Sequence, residues 1–219
     1  MLTDRRQIIT LVLIFLLSFG LYANNAFHFE TTIHQIGKGP LGTDTRTSAR
    51  AMDQLRYPWK HPLFSVATAP LVNLLKAVFP LSTEQAITLV VALIAAINIV
   101  LAYLILQECI VPPLLAAWFS GIYALLFSNL IIFSVPETYA TSNLVILAYL
   151  WLFLRKRDHL ARQEALMLGT LVGIASLFNP PLLSLGVIHM LYSYHRNGFK
   201  EAVRLGSLSL LVAGLLFLV

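Results

Sequence analysis

From Ala86 to Leu106 the chain reads "AITLVVALIAAINIVLAYLIL", without one charged side chain. A helix of about 20 apolar residues crosses a bilayer core, and a buried helix of a soluble protein rarely needs such a run. Repetition decides between the two. Further apolar segments occupy Ile8–Ala23, Pro113–Val135, Tyr139–Leu154, Ala165–Leu177, Leu182–Tyr192 and Leu205–Val219. Several are short and must borrow flanking residues to span. Of 219 residues, 58% are hydrophobic and 11% charged, against roughly a quarter charged in a soluble domain. The expectation is an all-α, polytopic membrane helical bundle of about seven spans, one transmembrane domain over residues 1–219.

In such a chain a net charge of +5 reports orientation rather than nucleic-acid binding. The single cysteine, Cys109, permits no disulfide within the chain and no zinc spacing. Residues Ile8–Ala23 follow "MLTDRR", and the run is long for a cleaved leader, so a signal anchor is expected.

An eighth apolar stretch, His61–Phe79, is long enough to span. However, Ser65, Ala69, Asn73 and Lys76 recur at helical spacing and form a weakly polar stripe, and Pro70 interrupts the run. That pattern suits a helix lying in the membrane interface. Parity supports it. With a cytoplasmic N-terminus and no crossing here, the inner segments carry Arg5, Arg6, Arg155, Lys156, Arg157, Arg162, Arg196, Lys200 and Arg204. The outer turns "SVPET" and "FNPP" then carry no Lys or Arg, as the positive-inside rule requires. Residues 24 to about 83 become one long first extracytoplasmic loop with two juxtamembrane helices. The last apolar run stops at Val219 without a polar tail, so the chain is expected to end in the membrane or to be the N-terminal part of a longer protein.

That loop concentrates the chemistry. "TDTRTSARAMDQLR" reads as a helix beginning at Thr43 or Asp44. Asp53 lies three residues from both Arg50 and Arg56, the spacing of helical ion pairs. Asp44 has no base at i+3 or i+4 and fits both an N-cap and a free acid. Arg46, Arg50, Arg56, Lys60 and His61 form a basic group suited to a phosphate or diphosphate at headgroup level. In "PWKHPLF" the two prolines frame Lys60 and His61, Trp59 is an interface anchor, and Pro62 fits the first turn of the next helix. Glu137 sits in "SVPETY", a turn too short to leave the membrane boundary, where an acid is a candidate for function. Asn98, inside an apolar run, is expected to hydrogen-bond a neighbouring helix. No P-loop, Gly-rich dinucleotide turn, G-x-S-x-G or H-E-x-x-H is present.

The order of these features resembles the GT-C superfamily of integral-membrane glycosyltransferases. It has a signal-anchor helix, then an outer loop with an early acid, then "HPL" opening a juxtamembrane helix. Two spans, "VPETY", the basic "LRKRDHLARQE" and "LGTLVGIASLFNPPLLSL" follow. The likeness covers most of the chain and matches that fold's N-terminal seven-helix module. It implies sugar transfer from a polyprenyl-phosphate donor to a lipid, glycan or protein hydroxyl on the extracytoplasmic face of a bacterial inner or plasma membrane. Asp44 matches the family's first-loop catalytic acid, His61, Pro62 and Leu63 its "HPL"-type motif, and Glu137 its acid between the third and fourth spans. The chain departs at Thr45 and Arg46, where a second acid often follows the first. It departs again at Asn179–Pro180, where the family often has "RP".

An inverting transferase on this plan has Asp44 as base and Glu137 as the group that orients the acceptor. Arg46, Arg50, Arg56, Lys60 and His61 bind the donor phosphate. Its partners are a polyprenyl-phosphate-linked sugar and membrane lipid, with no nucleic acid. No definite cofactor follows, although a divalent cation has room in such chemistry; the spacing of His28, His34 and His61 fits no metal motif. The alternative is a non-catalytic GT-C-like membrane subunit that binds lipid or a partner membrane protein.

Overall fold

The computed structural model describes residues 5–35, 45–53, 62–135, 138–156 and 162–217. Every element among them is helical: α1 (Arg5–Gln35), α2 (Thr45–Asp53), α3 (Pro62–Val78), α4 (Thr83–Glu108), α5 (Pro113–Leu125), α6 (Phe127–Ile132), α7 (Thr138–Lys156), α8 (Arg162–Phe178), a 3-10 turn (Pro180–Ser184), α9 (Leu185–Asn197) and α10 (Phe199–Phe217).

Local chemistry sets most boundaries. Ser82 opens α4 with a capping box: its hydroxyl accepts from the Gln85 amide at 3.1 Å, and the Gln85 side chain accepts from the Ser82 amide at 3.0 Å. Pro62 begins α3 and Pro113 begins α5, where a missing N–H costs nothing. Helix α4 gives way to a turn at Cys109, with Ile110 at φ 62°. At the far end "FNPP" is the expected turn, Asn179 being extended between α8 and the 3-10 turn.

Two boundaries differ from expectation. Helix α1 continues through Asn24–Gln35, well past the end of the apolar run at Ala23. The reason is composition: after Gly20, the first helix-breaking residues are Gly37, Gly39 and Pro40. The expected single span Pro113–Val135 is instead broken. Leu126 takes an extended conformation (φ −57°, ψ 131°) between α5 and α6, although no proline or glycine lies there. Pro70, in contrast, does not break α3.

Helix α4 is central. Helices α1, α3, α5 and α7 pack on it, α8 packs on α7 and α3, and α10 closes against α8 and α9. Ala86, Ala92, Ala95 and Ala96 on α4 are fully buried, and their small side chains let neighbouring backbones approach closely. Apolar side chains fill the core and also cover much of the outside, with small polar side chains buried among them. Asn98, Ser65, Thr68, Ser120, Ser134, Ser176 and Ser193 are buried, while Leu13, Leu16, Leu17, Leu114, Trp118 and Leu125 face outward. Only 11% of the apolar window of α1 is buried, against 56% for α4.

By length and composition, α1 over Arg5–His28 and α4 are long and apolar enough to cross a membrane, among the described residues. Leu63–Val78, Pro113–Leu125 and Met167–Phe178 are shorter apolar helices. The break at Leu126 removes one expected span from the long class. In α7, the polar Thr141, Ser142 and Asn143 at one end and Arg155 and Lys156 at the other dilute the apolar run.

Candidate functional site

Short as it is, α2 presents one sharply defined apolar face. Ser48, Ala49, Ala51 and Met52 are buried, while Arg50 is exposed and makes no ion pair among the described residues. Asp53 pairs differently from the sequence expectation: its described partner is Lys76 of α3, at 2.8 Å, rather than Arg50; Arg56 lies outside the described residues. Packing of α2 against α3 brings a long Lys side chain to Asp53 without the bending that a three-residue neighbour on the same turn needs. With 31% and 28% of the two side chains exposed, a double-mutant cycle on Asp53 and Lys76 is expected to give about 0.5–1 kcal/mol of coupling. That coupling weakens with added salt in thermal unfolding.

The stripe on α3 also turns out differently. Ser65 and Ala69 are buried together with Phe64, Thr68 and Val72, Lys76 is half-buried, and Asn73 alone is exposed. Leu71, Leu74 and Val78 face outward. Small and hydroxyl-bearing residues therefore form the packing face, because they permit close helix contact and bond backward to their own helix. Thr68 Oγ1 donates to the Phe64 carbonyl at 2.7 Å.

Of the residues selected from sequence, Asp44, Glu137, Arg56, Lys60 and His61 lie outside the described residues. So does the side chain of Arg46, whose backbone belongs to α2. Of the described residues on either side of Pro136–Glu137, Ser134, Val135, Thr138 and Ala140 are buried, while Tyr139 faces outward. Glu137 itself, expected at the membrane boundary, lies outside the described residues, while residues 134, 135, 138 and 140 are held inside the bundle.

What holds them is a set of side chains that the sequence reading largely missed. Asn25 of α1 donates to the Leu130 carbonyl at 2.7 Å and to Ser134 Oγ at 2.8 Å. Asn98 of α4 donates to the Ala140 carbonyl at 3.1 Å and to its own Ile94 carbonyl at 2.9 Å. Asn143 of α7 donates to Asn98 Oδ1 at 2.8 Å and to the Tyr123 hydroxyl at 2.9 Å. The broken end of α5 is capped from two directions. Tyr22 donates its hydroxyl to the Ala124 carbonyl at 2.8 Å, and Asn129 donates to the Tyr123 carbonyl at 2.6 Å. Phe133 packs edge-on against both Tyr22 and Tyr123. The expectation that Asn98 bonds a neighbouring helix holds. Its three companions carried the same signal, since an asparagine in an apolar run needs a partner; Asn143 finds Asn98, while Asn25 and Asn129 bond backbone carbonyls and Ser134.

Of the buried hydroxyls without a hydrogen-bond partner among the described residues, Tyr103, Thr141 and Ser142 lie on α4 and α7, the two helices that Asn98 joins, and Ser193 lies on α9. Elsewhere, an apolar cavity of about 290 Å³ opens among α8, α9 and α10, lined by Val172, Leu183, Val187, Met190 and Leu210. Met190 lies over Gly206, where any Cβ would meet its thioether. No group of three or more His, Cys, Asp or Glu side chains comes together among the described residues, so none of them forms a metal cage. No family model, curated protein or solved structure matches this chain.

Proposed function

We propose that this chain is an integral-membrane glycosyltransferase of the GT-C type, with about seven spans, that uses a polyprenyl-phosphate sugar on the extracytoplasmic face. The observation that carries the membrane part is the apolar outer surface, with Leu13, Leu16, Leu17, Leu114 and Trp118 outward while Asn98 and several serines are buried, an arrangement that suits a hydrocarbon solvent. The chemistry rests on the order of motifs in the sequence. It is supported by α2, which presents Arg50 outward beside the apolar α3, and by the buried anchorage on both sides of Glu137.

In this reading the acceptor hydroxyl attacks the anomeric carbon while Asp44 removes its proton. The bond from that carbon to the phosphate oxygen breaks, and its electron pair leaves with the lipid phosphate. Arg46, Arg50, Arg56, Lys60 and His61 offset the charge that builds there, and Glu137 orients the acceptor.

The test is transfer from a polyprenyl-phosphate sugar by the full chain in proteoliposomes. Replacing Asp44 by Asn is expected to cut the rate by about 100-fold or more, the usual contribution of a general base. Wild-type activity in that variant removes the proposed base. A wild-type protein that transfers none of the donors and purifies in a stable heteromeric complex is instead the non-catalytic membrane subunit.

A further inference from the structure

We infer that Asn25 and Asn98 are positioning residues that clamp the α6–α7 connection from opposite sides, Asn25 through Ser134 and Asn98 through Ala140. The assignment of a purpose to this clamp rests on the proposed transferase reading, because the connection carries the candidate acid Glu137. The clamp itself stands on geometry alone.

The α6–α7 connection is short, and neither helix fixes it by itself. Helix α6 spans only Phe127–Ile132, too short to be stable without tertiary support. It is severed from α5 at Leu126, so α5 cannot pass rigidity to it. The support comes from elsewhere in the chain. Asn25 spends both of its amide hydrogens on α6 and the segment after it, whereas Asn98 spends one on Ala140 and the other on the Ile94 carbonyl of its own helix. Asn25 ties the last turn of α6 (Leu130) and the second residue beyond that helix (Ser134) to α1. Asn98 ties the first turn of α7 (Ala140) to α4. Helices α1 and α4 are the longest among the described residues, at 31 and 26 residues. They also pack on each other. The connection is therefore referenced from both ends to one rigid pair. Asn98 is fully buried and the Asn25 bonds are partly so, so a lost donor is poorly replaced by water, most of all at Asn98.

Asn143 provides the internal control. It accounts for part of the same network, but its donors go to Asn98 Oδ1 and the Tyr123 hydroxyl, and neither bond touches the connection. A clamp predicts that Asn25 and Asn98 matter to residues 133–140 and Asn143 does not. A merely cohesive core predicts that all three matter alike.

Backbone hydrogen exchange on the full chain in lipid nanodiscs separates these outcomes. In Asn25→Leu and in Asn98→Leu, amides of residues 133–135 and 138–140 are expected to exchange about tenfold faster, the equivalent of one lost buried hydrogen bond. Exchange in α8–α10 stays unchanged. Asn143→Leu is expected to leave 133–140 within about twofold of wild type. Equal loosening by all three variants, or an unchanged connection in folded Asn25→Leu and Asn98→Leu, overturns the clamp. If Asn98→Leu does not fold, the pair Asn25→Leu and Ser134→Ala tests the α1 side alone, and unchanged exchange in both overturns it. Transfer kinetics form a separate arm: kcat is expected to fall about tenfold in Asn98→Leu with KM for the lipid donor unchanged. Absence of transfer in wild type sinks the transferase reading and leaves the exchange result standing.

Discussion

Replacing Tyr22 by Ala is expected to lower the stability of the folded bundle by about 3–5 kcal/mol, the range for deleting a buried aromatic side chain. Tyr22 is fully buried where α1, α5 and α6 meet. Its ring lies edge-on to Phe133 with centroids 5.5 Å apart, and its hydroxyl caps a carbonyl freed by the break at Leu126. The alanine variant loses the ring, opens a cavity and orphans that carbonyl at once. Tyr22→Phe divides the effect, because it keeps the ring and removes only the hydroxyl bond. Its expected cost is about 1–2 kcal/mol. Unfolding in mixed micelles of rising denaturing-detergent fraction measures both. If the phenylalanine variant matches wild type, the Ala124 carbonyl does not depend on Tyr22, and the break in the helix is held by Asn129 and packing alone.

The second large effect concerns the outer face of α1. Leu17 lies near the middle of the segment Arg5–His28 and is 72% exposed. In water, an arginine at so exposed a position changes stability by no more than about 0.5 kcal/mol. In a bilayer, Leu17→Arg is expected to cost about 2.5–3.5 kcal/mol, roughly a hundredfold shift away from the inserted state. Ile8→Arg, at the end of the same helix, costs far less because a long side chain there reaches the headgroups. A membrane-insertion reporter on α1 reads the two variants directly. Similar insertion for Leu17→Arg and Ile8→Arg contradicts a spanning α1. The comparison is useful because an apolar helix near an N-terminus meets the same length and composition criteria whether or not it remains as a span.

The sequence determined the positions and kinds of the helices. Each apolar segment picked out by hydropathy is largely helical, although Pro113–Val135 divides at Leu126 and Leu182–Tyr192 begins in the 3-10 turn, and Pro62, Pro113, the Ser82–Gln85 box and "FNPP" marked starts and turns. These features are legible because their causes lie within one helical turn: a hydroxyl reaching an amide three residues on, or a ring that fixes φ. The basic and acidic residues chosen as a site are equally local patterns, and they name a chemistry without placing it.

Only the tertiary structure decided which polar groups meet. Tyr22 and Ala124 are 102 residues apart, and Asn25 and Ser134 are 109 apart; no periodicity relates them. The same limit explains Asp53. Its nearest bases along the chain were Arg50 and Arg56, yet helix packing delivered Lys76, 23 residues away. It explains the break at Leu126 as well, where the residues themselves favour a continuing helix and the caps come from Tyr22 on another helix and Asn129 beyond the break. In an apolar surrounding a polar group must be satisfied from within the protein. The sequence shows that each asparagine needs a partner, and the packing of α1, α4 and α7 supplies it.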